Sequence, residues 1–414
     1  MNKEELPGLY IHAPFCRSKC FYCDFYSVAS RSEIPAWLEA VRTEMILYKE
    51  EFPAFDSLYL GGGTPSVLEE RQLASLFESL RKYFAFGPGT EMTMEANPES
   101  LSPGKLKTVR DFGVNRISLG VQSLHDTDLK YLGRGHDSDQ ALKALEACRS
   151  AGFSNLSVDL IYGLETQTLQ SWKNTLDLIL ECRPEHISCY QLTFEKSTAL
   201  WKMRESGRVR SIGEKMEAAF FIWTSRYLQR RGYYHYEVSN FAAGREFMCR
   251  HNRKYWRHVP YLGLGPSAHS LSVAPMAGMD TTDSEWAGMD TTNVTPAGLK
   301  PGSTPAAFAR APRIRRWWNV KSVREYCRLL GEGKTPVAGS ESLFREQYDL
   351  ETFDLALRTE DGLDMSVFKD VAHSERVLAE WQKSGLVRVS DGRARPTRRG
   401  FLVADSLTVM LMDG

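Results

Sequence analysis

The segment CRSKCFYCDF at residues 16–25 sets Cys16, Cys20 and Cys23, three of the chain's eight cysteines, within eight positions. Thiolates spaced CxxxCxxC on one short loop can converge on one face of a compact inorganic cluster. A closed structural zinc site wants four protein ligands, which here would have to include His12 or something distant. A 4Fe-4S cube held by three cysteines instead leaves one iron open to a chelating ligand. Further on, LGGGTPS brings Gly61, Gly62 and Gly63, whose amides and carbonyls can approach a polar ligand closely, and Thr64 adds a hydroxyl. A glycine run alone is usually a turn. One unit after a three-cysteine loop, it reads as part of the same site.

The elements that must position these residues are short strand-like runs: LYIH at 9–12, SLYLG at 57–61, EMTMEA at 91–96, RISLG at 116–120, LSVDLI at 156–161 and HISCYQL at 186–192. Stretches of helical period separate them, which predicts an α/β fold, a partial (β/α)6 barrel. Ligand chemistry in such folds gathers at the carboxyl ends of the strands, where the cysteines and glycines fall and where Glu95 lies in the third strand. Residues 210–232 read as one amphipathic helix closed by Gly232, and YYHYEVSNF as the strand after it. Residues 271–312 repeat AGMDTT with a period of ten and read as a duplicated surface loop. The end of the chain reads as helix, strand, an SDG turn, strand and helix, the outline of a small winged-helix-like C-terminal domain. The expected division is 1–240 for the barrel, 241–330 for an extension with the insertion, and 331–414 for the C-terminal domain.

The 414 residues balance 52 basic against 52 acidic side chains, which leaves no electrostatic footprint for nucleic acid; the terminal arginines read as solvated surface. No apolar run has the length of a signal-peptide core or a membrane span, so a cytoplasmic setting is expected. In that reducing compartment clustered cysteines are read as metal ligands or redox groups before disulfides.

The order YIHAPFCRSKCFYCDF, LGGGTPS, MEANPES, GVNRISLGVQS, YLGRGH, VDLIYGLETQT, YEVSNFA and CRHNRKYW resembles the HemW family of heme chaperones, in the radical S-adenosylmethionine (SAM) superfamily and related to the oxygen-independent coproporphyrinogen III dehydrogenases. The resemblance implies a radical-SAM barrel in which Cys16, Cys20 and Cys23 hold a 4Fe-4S cluster. It implies a SAM site of Tyr10, Tyr22, Gly62, Gly63, Thr64, Glu95, Gln122, Arg134, Asp159 and Thr193. HNRKYW at 251–256 fits the pattern associated with heme in that family, implying His251, Cys249, Tyr255 and Trp256 as heme-binding residues. Heme iron takes a histidine or a thiolate, so the axial ligand stays open between His251 and Cys249. His251 and Tyr255 would share a helical face. Where the dehydrogenases carry a fourth cysteine this chain has Phe25.

Two functions follow from the resemblance. The first is a chaperone that carries heme as cargo to an acceptor protein, peripheral to the membrane during delivery, with an electron donor and a homodimer compatible but unspecified. The second is a radical SAM enzyme acting on a porphyrin, either by decarboxylating coproporphyrinogen III or by another SAM-dependent radical reaction. A zinc protein with a nucleic-acid-binding winged helix is a third and weaker reading.

Overall fold

The computed structural model describes residues 5–274, 313–367 and 371–412. The expected strands form as β1 (Gly8–Ala13), β2 (Ala54–Gly62), β3 (Ala85–Ala96), β4 (Arg116–Gln122), β5 (Leu156–Tyr162) and β6 (His186–Gln191). They pair in sequence order and in parallel. Parallel neighbours need long crossovers, and helices such as Ile34–Tyr48, Glu70–Tyr83 and Leu169–Glu181 supply them.

Alternation along these strands separates two environments. Leu9, Ile11, Leu58, Leu60, Met94, Val158 and Leu160 are buried in the main core, against Trp37, Val41, Phe77, Leu80, Trp172 and Leu176 of the helices. The intervening positions are polar or aromatic: Tyr10, Tyr59, Glu95, Ser118, Asp159 and Ser188. The inner wall is therefore built for a polar ligand.

The segment YYHYEVSNF forms a hairpin where one strand was expected, β7 (Tyr234–Glu237) and β8 (Asn240–Ala242), with β8 antiparallel to β6. The helix before it spans Glu214–Arg230 and starts later than expected, because Gly213 sits at φ 80 as its N-cap. On the other edge, β9 (Tyr261–Leu264) runs parallel to β1, and β10 (His269–Ala274), β11 (Arg313–Asn319) and β12 (Val337–Leu343) continue antiparallel. All twelve strands form one sheet, so it runs across the boundaries expected at 240 and 331. The expected insertion begins later than 271, since 269–274 is strand, and the AGMDTT repeats lie outside the described residues.

The C-terminal unit has its own small core around Leu357, Leu378, Trp381, Val387 and Leu407. Its sheet of β13 (Leu363–Asp364), β14 (Val387–Ser390) and β15 (Arg393–Pro396) closes on Asp391 and Gly392, both at positive φ, as a two-residue hairpin of that kind requires.

Glu44 ties the extension to the barrel. Fully buried on the helix Ile34–Tyr48, it accepts from Gly265 N at 2.8 Å, Asn319 Nδ2 at 2.6 Å and the Tyr326 hydroxyl. Burial pushes its pKa from 4.5 to about 7 against those three donors. The folded chain thus keeps a proton there that the unfolded chain releases; the stability this confers is full below pH 4.5 and is lost as pH rises to 7. Relative to Glu44→Gln, wild-type stability is expected to fall by roughly 2–3 kcal/mol between pH 5 and pH 8 in denaturant titrations. A wild-type-minus-variant difference that does not change with pH would count against this.

Candidate functional site

The cysteine loop and the glycine run are fastened to each other. Gly63 N donates to Ala13 O at 2.9 Å and Thr64 N to Phe15 O at 2.8 Å. A Cβ at Gly63 would stand 2.8 Å from both Phe15 N and Phe15 O, so only glycine lets the loop lie there. Gly62, at φ 108, donates its own amide to Glu95 Oε2 at 3.2 Å. The amides expected to meet a ligand are thus spent inside the protein; the carbonyl oxygens of the run are what an ammonium group would meet.

Cys16, Cys20 and Cys23 are free, half-buried thiols. Cys16 Sγ lies 3.4 Å from Thr64 Oγ1, and Arg134 Nη1 donates to Cys20 Sγ and to the Tyr22 hydroxyl, each at 3.5 Å. Burial, and then the neighbouring thiols, push the Cys23 pKa up to about 11 against a backbone amide, and burial raises Cys16 as well. Among the described residues no three His, Cys, Asp or Glu side chains could hold one metal ion. A zinc ion would draw its sulfurs to about 2.3 Å. A bound cationic metal would stabilise the three as thiolates.

Arg134 is the clamp of this rim. Its Nη2 reaches Asn97 Oδ1 at 2.6 Å and Gly120 O at 2.8 Å, while Asn97 Nδ2 donates to Thr64 Oγ1 at 3.1 Å. Asn97 was not singled out from the sequence, although it stands two residues beyond Glu95 in MEANPES. Gln122 is at φ 68, where the β4–β5 register shifts, and its amide crowds Gly120 beside Arg134. A bulge at a strand end re-aims a side chain in this way.

Below the rim, Glu95 Oε1 accepts from Tyr59 OH at 2.8 Å. Asp159 accepts from Ser188 Oγ at 2.7 Å and Ser118 Oγ at 3.1 Å. Both carboxylates are surrounded by protein yet half-exposed, which places them in an open lumen. Desolvation raises both pKa values, Glu95 to about 7, against the hydroxyl donors. Ser118, Ser188 and Tyr59 are holders that no sequence signal marked. Tyr10 lines the same wall, its hydroxyl 3.0 Å from His12 Nδ1. Thr193 is exposed past the end of β6 and shares no hydrogen bond with these residues.

The HNRKYW segment forms the helix Arg250–Trp256 at the opposite, amino-terminal end of the barrel. Glu91 receives its first amides, Arg250 N at 3.0 Å and His251 N at 3.1 Å, an acid at the positive end of a helix. His251 and Tyr255 do share a face, with His251 Nε2 2.9 Å from the Tyr255 hydroxyl. But His251 is 1% exposed and its Nδ1 is 3.1 Å from Ser57 Oγ, so neither nitrogen is free; Cys249 is 0% exposed, 3.6 Å from Glu91. Trp256 is half-buried and faces a cleft of about 2050 Å³ against the C-terminal unit, and half-buried Tyr255 lines a separate cavity of about 310 Å³. The structure does not present these four residues as one heme-facing set.

Residues 10–179 match the radical SAM superfamily. Along 98% of its length the chain is 31% identical to a protein named heme chaperone HemW from Mycobacterium tuberculosis, covering 94% of that protein. The HemW heme chaperone of Bacillus subtilis is 30% identical across 97% of this chain and 98% of its own. The chain belongs to the HemW family. In fold it is similar to the structure of coproporphyrinogen III oxidase (HemN) from Escherichia coli, with a TM-score of 0.76 over 99% of this chain and 90% of that one, at 23% identity. The helices of the described residues include none long and apolar enough to cross a membrane.

Replacing Arg134 tests the clamp. Residues that orient metal ligands typically contribute 10–100-fold to metal affinity. Arg134→Ala is expected to retain less iron and sulfide after anaerobic reconstitution and to bleach several-fold faster in air, and Arg134→Lys to recover little, since one ammonium cannot reproduce the fork to Asn97 and Gly120. Wild-type iron content and bleaching rate in both variants would remove Arg134 from the site.

Proposed function

We propose that this protein binds heme and passes it to an acceptor protein, on a scaffold holding a 4Fe-4S cluster and SAM. The observation that carries this reading is the end-to-end relationship to proteins named heme chaperones, C-terminal unit included. Phe25 supports it: the side chain at the place of the dehydrogenases' fourth cysteine is 70% exposed and supplies no thiol.

Cys16, Cys20 and Cys23 would hold the cluster, with Thr64 and Arg134 beside two of the sulfurs. Carbonyls of Gly62 and Gly63 would accept from an amino group, and Glu95, with its two acceptor oxygens, suits a pair of ribose hydroxyls. Tyr10, Tyr22, Gln122 and Asp159 would complete the SAM environment, with Thr193 at its outer edge. Bound, the cluster with SAM supplies one-electron chemistry; the chain's own part is to orient sulfurs and carboxylates and to enclose the lumen.

The radical SAM enzyme acting on a porphyrin is the competing reading, and one experiment separates the two. Protein reconstituted without air is mixed with SAM, a reductant and coproporphyrinogen III, and in parallel is titrated with ferric heme while the Soret band is followed. Stoichiometric heme binding, with coproporphyrinogen III recovered unchanged and heme passing to an apo-hemoprotein, is the expected result. Formation of protoporphyrinogen without heme binding would overturn the chaperone.

A further inference from the structure

The cleft that Trp256 faces is lined by the barrel on one side and by the C-terminal unit on the other. Several arginines in its wall are matched by acids: Arg245 meets Glu360 at 2.8 Å, Arg257 meets Asp361 at 2.6 Å, and Arg393 stands 3.4 Å from Asp364. Four others are not. Arg226, from the barrel helix Glu214–Arg230, and Arg388, Arg398 and Arg399, from the C-terminal unit, line the same cleft, and among the described residues none of them is in ion-pair contact with a carboxylate.

The way the two units meet holds these cations together. Arg398 donates through Nε, at 2.9 Å, and through Nη2 to Gln229 Oε1, a neutral amide on the barrel helix. Gln229 lies three residues past Arg226, on the next turn of that helix, so the contact brings Arg398 to Arg226 from across the cleft. Burial first, and then the charges of Arg226, Arg388 and Arg230, lower the Arg398 pKa, so its charged neighbours are themselves cations. Like charges gathered by the fold repel until an anion meets them, and guanidinium forks meet carboxylates through paired N–H donors. The wall also has apolar members: Ile222, one turn before Arg226, with Trp256, Val273 and Phe401. At about 2050 Å³ the cleft exceeds the roughly 300–1,000 Å³ of ordinary small-molecule sites, so it admits a large ligand with an apolar body and anionic groups. The histidines in its wall, His235 and His258, have both ring nitrogens engaged, and neither is free to ligate a metal.

We propose that this cleft is the cargo seat, taking a porphyrin whose propionates pair with Arg226, Arg388 and Arg398 and whose ring lies against the apolar wall, with no bond from the protein to iron. The proposal rests on the chaperone reading and places the seat between the barrel and the C-terminal unit, away from the ring nitrogens of His251. Pairs between carboxylates and largely exposed guanidinium groups are individually weak, which suits a cargo that has to be given up.

The test titrates the anaerobically reconstituted full chain with ferric protoporphyrin IX, with metal-free protoporphyrin IX and with the dimethyl ester of the latter, following the Soret band or porphyrin fluorescence. Wild type is compared with the double variant Arg226→Ala, Arg388→Ala, two exposed side chains that donate no hydrogen bond among the described residues, after both proteins are checked by circular dichroism and iron content. Wild type is expected to bind the metal-free porphyrin within several-fold of heme and the ester at least tenfold more weakly. The double variant is expected to lose at least tenfold in affinity for both free acids and little for the ester. Unchanged porphyrin affinity in the folded double variant would overturn this seat and leave the chaperone standing, as would binding that is lost when the iron is removed. Displacement of the porphyrin by equimolar inorganic pyrophosphate would make the cleft a phosphate site and overturn the seat in the same way. A wild type that binds no heme would overturn both readings.

Discussion

The absence of a side chain at Gly63 is the constraint on which the site depends. The cysteine loop passes so close that its backbone occupies the space of a Cβ, and two hydrogen bonds, Gly63 N to Ala13 O and Thr64 N to Phe15 O, hold it there. Everything on the rim is referenced to that contact. Thr64 is placed to meet Cys16, Asn97 to meet Thr64, and Arg134 to meet Asn97 and Cys20. Any larger residue at 63 would lift the loop and shift the sulfurs with it, because the atoms it would strike are backbone and cannot rotate away.

From that rim a continuous set of contacts runs down the inner wall. Gly62 N meets Glu95, Glu95 meets the Tyr59 hydroxyl, the Tyr59 ring stacks on His251 at 5.2 Å, and His251 meets Ser57 and Tyr255. The helix bearing HNRKYW thus closes the floor of the lumen from which Tyr59 and Glu95 rise. A change in this helix is felt at Glu95 through packed rings, with no ligand needed at His251. That gives the motif a structural reason to exist in a barrel whose three clustered cysteines sit at the other end.

Much of this was legible in the sequence, for physical reasons. The six parallel strands show as short apolar runs because their outer positions pack under helices, and Cys16, Cys20 and Cys23 show because their spacing has few other uses. The SDG turn shows because only a few residue types tolerate the backbone it needs. What stayed hidden depends on partners distant in the chain. The amides of the glycine run look available until Ala13 and Phe15 are seen to take them. YYHYEVSNF reads as one strand because a turn at Val238 and Ser239 carries no glycine or proline. His251 looks like a free ligand because Ser57 lies 194 residues away in the chain.

Energetics weigh against His251 as a metal ligand. Freeing His251 would break its bonds to Ser57 and Tyr255 and leave those partners unsatisfied in the interior, at about 1–3 kcal/mol for each group. It would also unstack Tyr59 and draw the helix off Glu91. Such a cost would be subtracted from the affinity of any ligand that drew this ring out of the interior.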